Sequence, residues 1–148
     1  MQYFYRIGDF GMTRDVTSDS DYYISNQSKK ETAMPIRWMA PESVIDKKFS
    51  EDTDIWSYGI VLWEIVTYGE VPFGKFSNET VDFMVRDGYT PNLPENCADD
   101  FKNLMNLCWR KDPKKKKIKF KDVVKMLLSS ITHLQKFEKV SFYHKMYD

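Results

Sequence analysis

Histidine and cysteine are scarce in this sequence, with two of each among 148 residues. Cys97 and Cys108 are too few for a disulfide framework or a zinc site, and they fit a reducing compartment. Net charge is also missing: 22 basic residues balance 22 acidic ones, so no overall field points to nucleic acid or an anionic membrane as partner. Long apolar runs are absent too. The longest, Ile55 to Val66, is broken by Ser57 and Glu64 and falls short of the roughly 20 residues that cross a bilayer. No stretch has the layout of a signal peptide, and the two glycosylation sequons, at Asn26 and Asn78, are short enough to arise by chance.

What is present is an ordinary globular composition, 42% apolar, at a length that buries roughly 70% of the unfolded surface within one domain. No internal repeat is visible. Met1 to Ile7 is an apolar, strand-like run. Residues 12 to 34 are polar, aperiodic and longer than most connections, the pattern of an exposed functional loop. Helical signals fill the rest. A short helix is predicted from Ser43 to Asp46, followed by a connector from Lys47 to Asp52. Residues 53 to 68 are apolar nearly all round, which predicts a central helix enclosed by others, stopped by Tyr68-Gly69 and Pro72. Ser77 or Asn78 caps a helix that runs to about Arg86 and is closed by Gly88. From Ala98 to Trp109, Phe101, Leu104, Met105 and Cys108 recur at helical spacing, with Asp99 and Asp100 at the positive helix end. The last helix is predicted from Phe120 to Leu134, where Phe120, Val123, Val124, Leu127, Leu128 and Ile131 form one stripe, read as core packing. The fold class expected is mainly α.

Two short stretches carry chemistry. Gly8-Asp9-Phe10-Gly11 sets a carboxylate between flexible residues and beside an aromatic anchor. That order suits an aspartate presenting its oxygens to Mg²⁺ while Phe10 packs and Gly11 lets the backbone turn; the triplet alone also fits an ordinary turn. PIRWMAPES, residues 35 to 43, places a restrictive Pro35 beside Trp38 and Met39, a rigid apolar platform suited to holding an extended segment.

Read in order, IGDFGMTRD, DYY, PIRWMAPES, DIWSYGIVLWEI, PFGKFSNE and LCWRKDP resemble the lower half of a protein tyrosine kinase domain, and most of all that of the insulin-receptor-like receptor kinases. FEKVSFYHK in the tail is similar to the same subgroup. The resemblance runs from about Tyr5 to about Leu128. It implies a partial protein-kinase-like fold, namely the helical C-terminal lobe with a short extended N-terminal stretch and a long activation-type loop. Residues 1–134 would form the kinase portion and 135–148 a C-terminal tail. It further implies Asp9 as a metal ligand, with Asp9, Phe10 and Gly11 serving Mg²⁺ and ATP. Tyr22 and Tyr23 would be phosphorylated by a sister kinase, their phosphates pairing with basic side chains to order the loop. Pro35, Arg37 and Trp38 would position a protein tyrosine substrate, and Glu42, Asp54 and Trp109 would be structural. The parent activity implied is ATP-dependent phosphoryl transfer to protein tyrosine, on the cytosolic side of a single-pass plasma membrane receptor. No nucleic acid partner is expected.

The sequence departs from that pattern in several places. Thr17 stands near the position of a third loop tyrosine. The residues contain no Gly-rich phosphate loop, no strand lysine with its helix glutamate, and no His-Arg-Asp catalytic loop; His133 and His144 lie in no such motif. Asp54, whose family counterpart accepts hydrogen bonds from that loop, is expected to lack them. The isolated chain is therefore expected to be inactive. The alternative is a noncatalytic helical module, or pseudokinase-like fragment, that docks proteins on its helical face. In the family Glu42 pairs with an arginine before the last helix, where this chain has Lys116 or Lys117 within a run of lysines from Lys114 to Lys121. That run also resembles a nuclear-localisation patch, although a solvated face is the plainer reading. A lysine supplies charge without the fork of a guanidinium. Of Lys116→Arg and Lys117→Arg, only the one facing Glu42 should raise the urea midpoint, and Glu42→Gln should cancel the gain. Equal midpoints, unaffected by Glu42→Gln, would dismiss the latch.

Overall fold

In the computed structural model, residues 6, 8, 10–13, 22–24, 34–109 and 118–131 are described. Proline opens the first helix, α1, Pro41–Ile45, two residues ahead of its predicted start. Pro41 fits there because a first-turn amide has no intrahelical acceptor to lose. Helix α2, Glu51–Val66, also starts early, because Ser50 and Thr53 form a reciprocal capping box. Thr53 Oγ1 accepts from the Ser50 amide at 2.9 Å, and Ser50 Oγ accepts from the Thr53 amide at 3.4 Å. Glu51, Asp52 and Asp54 fill its first turn, where the helix dipole favours acid.

Helix α3, Asn78–Arg86, has the predicted bounds, with Ser77 as its cap. It closes at Gly88, which adopts φ 69 while the Tyr89 amide reaches back to the Met84 carbonyl at 2.8 Å. Helix α4 is Asp99–Cys108, and α5 covers 120–131; residues 132 to 134 of its predicted length lie outside the described residues. The Lys119 amide donates to the Asp122 carboxylate at 3.2 Å, fixing the start of α5.

Two strands stand where the sequence predicts a loop and a connector. β1, Tyr23–Ile24, pairs antiparallel with β2, Lys48–Phe49, in the register Tyr23↔Phe49 and Ile24↔Lys48. Two-residue strands hold no periodicity for the sequence to display, so only tertiary pairing reveals them.

The main core lies between α2 and α4. Ile55, Trp56, Ile60 and Trp63 meet Leu104, Met105, Cys108 and Trp109, with Val123 of α5 joining them. A smaller cluster of Met39, Val44, Phe73, Val81 and Val85 joins α1 and α3 to the platform. Burial departs from expectation at two helices. α2 is apolar nearly all round, yet Val61 and Ile65 are 42% and 64% exposed. Of the predicted α5 stripe only Val123 is buried, with Leu127 half-buried; Phe120, 36% exposed, sets its ring edge-on to Tyr58 of α2 at 5.9 Å, while Val124, Leu128 and Ile131 are exposed. An apolar stripe buries only where another element stands opposite, and α5 instead turns Val123, Met126 and Leu127 to the core.

At the crossing of α2 and α4, a side chain on Gly59 would place its first carbon 2.6 Å from Trp109 Nε1 and 2.8 Å from Cys108 Cβ. Gly59→Ala should therefore cost about 1–3 kcal/mol through overpacking, read as a lower urea midpoint with an unchanged slope. Burial of Cys108 in the same crossing pushes its thiol up to about 12 from an ordinary 9.0. Between those values the unfolded chain loses the proton first, so the folded state is the better proton binder. Stability should then fall as pH rises above about 9, by up to ~1.4 kcal/mol per pH unit from this group, and Cys108→Ala should flatten that slope.

A pinned platform beside a tyrosine-bearing strand as the candidate functional site

The platform from Met34 to Ala40 is built on a short 3-10 turn, Ile36–Trp38. Pro35 begins it at φ −76, and Met39 leaves it extended, so the segment passes from a turn to an outstretched chain within a few residues. Hydrogen bonds hold it to α2. Trp38 donates its indole N–H to the Glu64 carboxylate at 2.7 Å, and Ser57 Oγ donates to the Trp38 carbonyl at 2.7 Å.

Arg37 holds the other side. Its guanidinium donates to the Pro72 carbonyl at 2.8 Å, the Phe76 carbonyl at 2.6 Å and Asn78 Oδ1 at 3.2 Å. One planar fork thus ties the platform to the loop between α2 and α3 and to the start of α3. Sequence reading set Arg37 beside Pro35 and Trp38 as substrate-positioning; the structure places Pro35 at the surface, Trp38 half-buried, and the Arg37 donors on neighbouring main chain.

The tyrosine pair lies on the β1–β2 ribbon. β2 is fastened to α1 by Ser43 Oγ donating to the Lys48 carbonyl at 2.7 Å. Tyr22 is exposed, but Tyr23, expected as a second exposed phenol, is half-buried opposite Phe49. Successive side chains of a strand point to opposite faces, and Tyr23 shares its face with Phe49, which packs against the smaller apolar cluster.

The carboxylates divide differently. Glu42 stands half-buried in the first turn of α1, at a cavity of about 240 Å³ lined also by Asp52, Trp56, Arg86, Asp87 and Cys108. Lys116 and Lys117 lie outside the described residues. A base that sequence reading missed, Lys119, reaches Glu51 at 2.9 Å and Asp52 at 3.6 Å, and its hydrogen bond to Glu51 raises its ammonium pKa. In the sequence it is one member of a lysine cluster, distinguished only by its place just before α5. Asp54 is exposed at the start of α2; partial desolvation, then the neighbouring charge of Glu51, raises its carboxyl. Trp109 is buried, and its indole N–H meets no acceptor among the described residues.

Asp9 lies outside the described residues. Phe10 and Gly11 form a 3-10 turn, Phe10–Met12; Phe10, expected to pack, is 65% exposed. Among the described residues no three His, Cys, Asp or Glu side chains come together as a metal site.

The mainly helical body, with a proline-bounded platform pinned to a long central helix and a tyrosine-bearing strand paired nearby, is consistent with the C-terminal lobe of a protein kinase. A family model described as protein tyrosine and serine/threonine kinase matches residues 1–127, and the chain belongs to that family. It is 41% identical to the insulin receptor of Xenopus laevis over 142 residues, 96% of this chain and 10% of that protein. It is 40% identical to the insulin-like growth factor 1 receptor of Bos taurus over 139 residues, 94% of this chain and 21% of that one. Tyrosine kinase receptor Cad96Ca of Drosophila melanogaster is 43% identical over 122 residues, 82% of this chain and 15% of its own length. The chain thus spans between 10% and 21% of the length of these three relatives, and its resemblance to receptor tyrosine kinases of the insulin-receptor type holds. Among the described residues no helix is long and apolar enough to cross a membrane.

The fork of Arg37 makes a sharp expectation. Arg37→Lys keeps the charge but can satisfy few of the three acceptors, so it should lose about 1.5–3 kcal/mol. Amide exchange should quicken between residues 72 and 78 more than in α4. Uniform quickening would show that Arg37 does not hold that loop.

Proposed function

We propose that this chain is the platform and regulatory-loop portion of a receptor-type tyrosine kinase. The parent protein transfers phosphoryl groups from ATP to protein tyrosines on the cytosolic side of a single-pass plasma membrane receptor. Residues 1–134 form the kinase portion and residues 135–148 a tail. The observation that carries this reading is the platform itself: Arg37 and Trp38 clamp a 3-10 turn, which leads into extended chain at Met39, between α2 and the loop before α3, next to the elements that carry Tyr22 and Tyr23. Pro35 and Trp38 contact the substrate segment, while Arg37 acts by holding the floor beneath it. Asp9, Phe10 and Gly11 belong to the Mg²⁺ and ATP site of the parent, and Tyr22 and Tyr23 are its modification sites.

In this reading the chain by itself transfers no phosphate. Its residues include neither a base in a His-Arg-Asp loop nor a phosphate-cradling loop, and phosphoryl transfer depends on many positioned groups acting together. The exposed apolar residues Val61, Ile65, Val124 and Leu128 favour a second reading, a noncatalytic module that docks a protein on its helical face.

Purified chain incubated with radiolabelled ATP, Mg²⁺ and a tyrosine peptide should leave the peptide unlabelled, yet should itself be labelled on Tyr22 or Tyr23 by an active insulin-receptor-type kinase. Label on the peptide that disappears in Asp9→Ala would overturn the inactivity. A chain that no tyrosine kinase labels would leave the noncatalytic module as the better account.

A further inference from the structure

On one face of the β1–β2 ribbon the Lys48 ammonium lies 4.1 Å from the centre of the Tyr22 ring. The register accounts for this contact. Ile24 stands opposite Lys48, and Tyr23 stands opposite Phe49. Tyr22, two residues before Ile24, is therefore the diagonal neighbour of Lys48 on the same face. Tyr23 points the other way, with Phe49, which packs against the cluster of Met39, Val44 and Phe73.

The lysine is well anchored. Its carbonyl accepts from Ser43 Oγ at 2.7 Å, and Lys47 before it turns the chain at φ 54. The Lys47 ammonium is directed elsewhere, toward the Val44 carbonyl at 3.4 Å. Of these two adjacent lysines, then, only Lys48 covers the ring. A cation over a phenol at a surface site gains roughly 0.5–1 kcal/mol. A phosphate on the same phenol carries about −1.5 to −2 charges and three strong acceptors, and the ammonium sits on a flexible stem that can follow it.

We propose that Lys48 is the phosphate-binding group for phosphorylated Tyr22. Its ammonium moves from the ring face to the phosphate oxygens, which makes Tyr22, rather than Tyr23, the modification that holds β1 on β2. The proposal rests on the reading of Tyr22 as a phosphorylation site. In that modification a bond forms between Tyr22 Oη and the γ-phosphorus of ATP, ADP leaves, and the phenolic proton passes to the base of the second kinase that performs the transfer. Lys48 takes no part in the bond change; it binds the product.

The test uses the full chain with phosphotyrosine genetically encoded at position 22 or at position 23, treated with a protein tyrosine phosphatase. Phospho-Tyr22 should be hydrolysed up to about fivefold more slowly with Lys48 than in Lys48→Met, the equivalent of about 1 kcal/mol for an exposed pair. Lys48→Arg should restore the protection, and 1 M salt should abolish it. Lys75→Met, which removes the same charge from an exposed loop, should change nothing, and phospho-Tyr23 should be hydrolysed at one rate in every variant. A further readout needs no substitution: the ε-methylene protons of Lys48, shifted upfield by the ring in the unmodified chain, should return toward the free-lysine value with phosphate at 22 and stay put with phosphate at 23. Equal phospho-Tyr22 rates with Lys48 and Lys48→Met, equal slowing at both tyrosines, or an unmoved ε-methylene resonance would each overturn the proposal. Encoding the phosphate separates this from the underlying reading, which fails instead if active receptor-type kinases leave Tyr22 unlabelled.

Discussion

Helix α2 can serve as the central post because α4 comes against it with nothing between them but the hydrogen of Gly59. The Trp109 indole lies where any larger residue would put its first carbon. This contact sets the depth at which Trp56, Ile60, Leu104 and Met105 interlock, and side chains at interior density leave little slack for another spacing. Everything attached to α2 inherits its position: the platform through Ser57 and Glu64, the segment before α4 through the Trp63 indole and the Asn92 carbonyl, and the start of α5 through Lys119.

The functional elements are therefore held indirectly. Their apolar packing is divided. Met34, Ile36 and Met39 of the platform join the smaller cluster while Trp38 and Ala40 join the main core, and the β1–β2 ribbon is two residues long on each strand. Polar bonds to main-chain carbonyls do most of the fastening, at Arg37, Ser43 and Ser57. Such bonds are directional, so they fix orientation where a small apolar contact would allow sliding. A segment that must present an extended chain benefits from that directionality, and the burden of stability rests on the α2–α4 crossing.

Much of the fold was legible in the sequence because helices longer than two turns repeat their pattern. α3 carries Val81 and Val85 between a serine cap and a terminating glycine, and its bounds coincide with those read from the sequence. α2 and α4 were recognised with small shifts at their ends, which Ser50 and the first-turn acids explain. The ribbon was not legible, since strands this short have no repeat and their pairing joins residues far apart in the chain. Nor was the facing of α5, because a stripe broad enough to include Phe120, Val123, Val124 and Leu127 does not say which edge meets a neighbour. At the candidate site, the platform could be read from its proline and tryptophan. Two of the three acceptors of Arg37 could not, because main-chain carbonyls leave no trace in residue identity. Lys119 was hidden by its likeness to the lysines before it.

The fit of Gly59 against Trp109 also constrains how this sequence can change over time. While the indole is present, residue 59 is confined to glycine, since alanine already collides with it. If Trp109 alone were replaced by something smaller, the contact with the indole would be relieved, but Cβ of Cys108 would still stand 2.8 Å from the first carbon at 59. Relief therefore needs a shift of the α4 end as well as the loss of the indole, and neither single change is neutral: truncating Trp109 leaves a cavity, and a methyl at 59 overpacks the crossing. Lineages that carry tryptophan here are thus expected to keep glycine at the facing position.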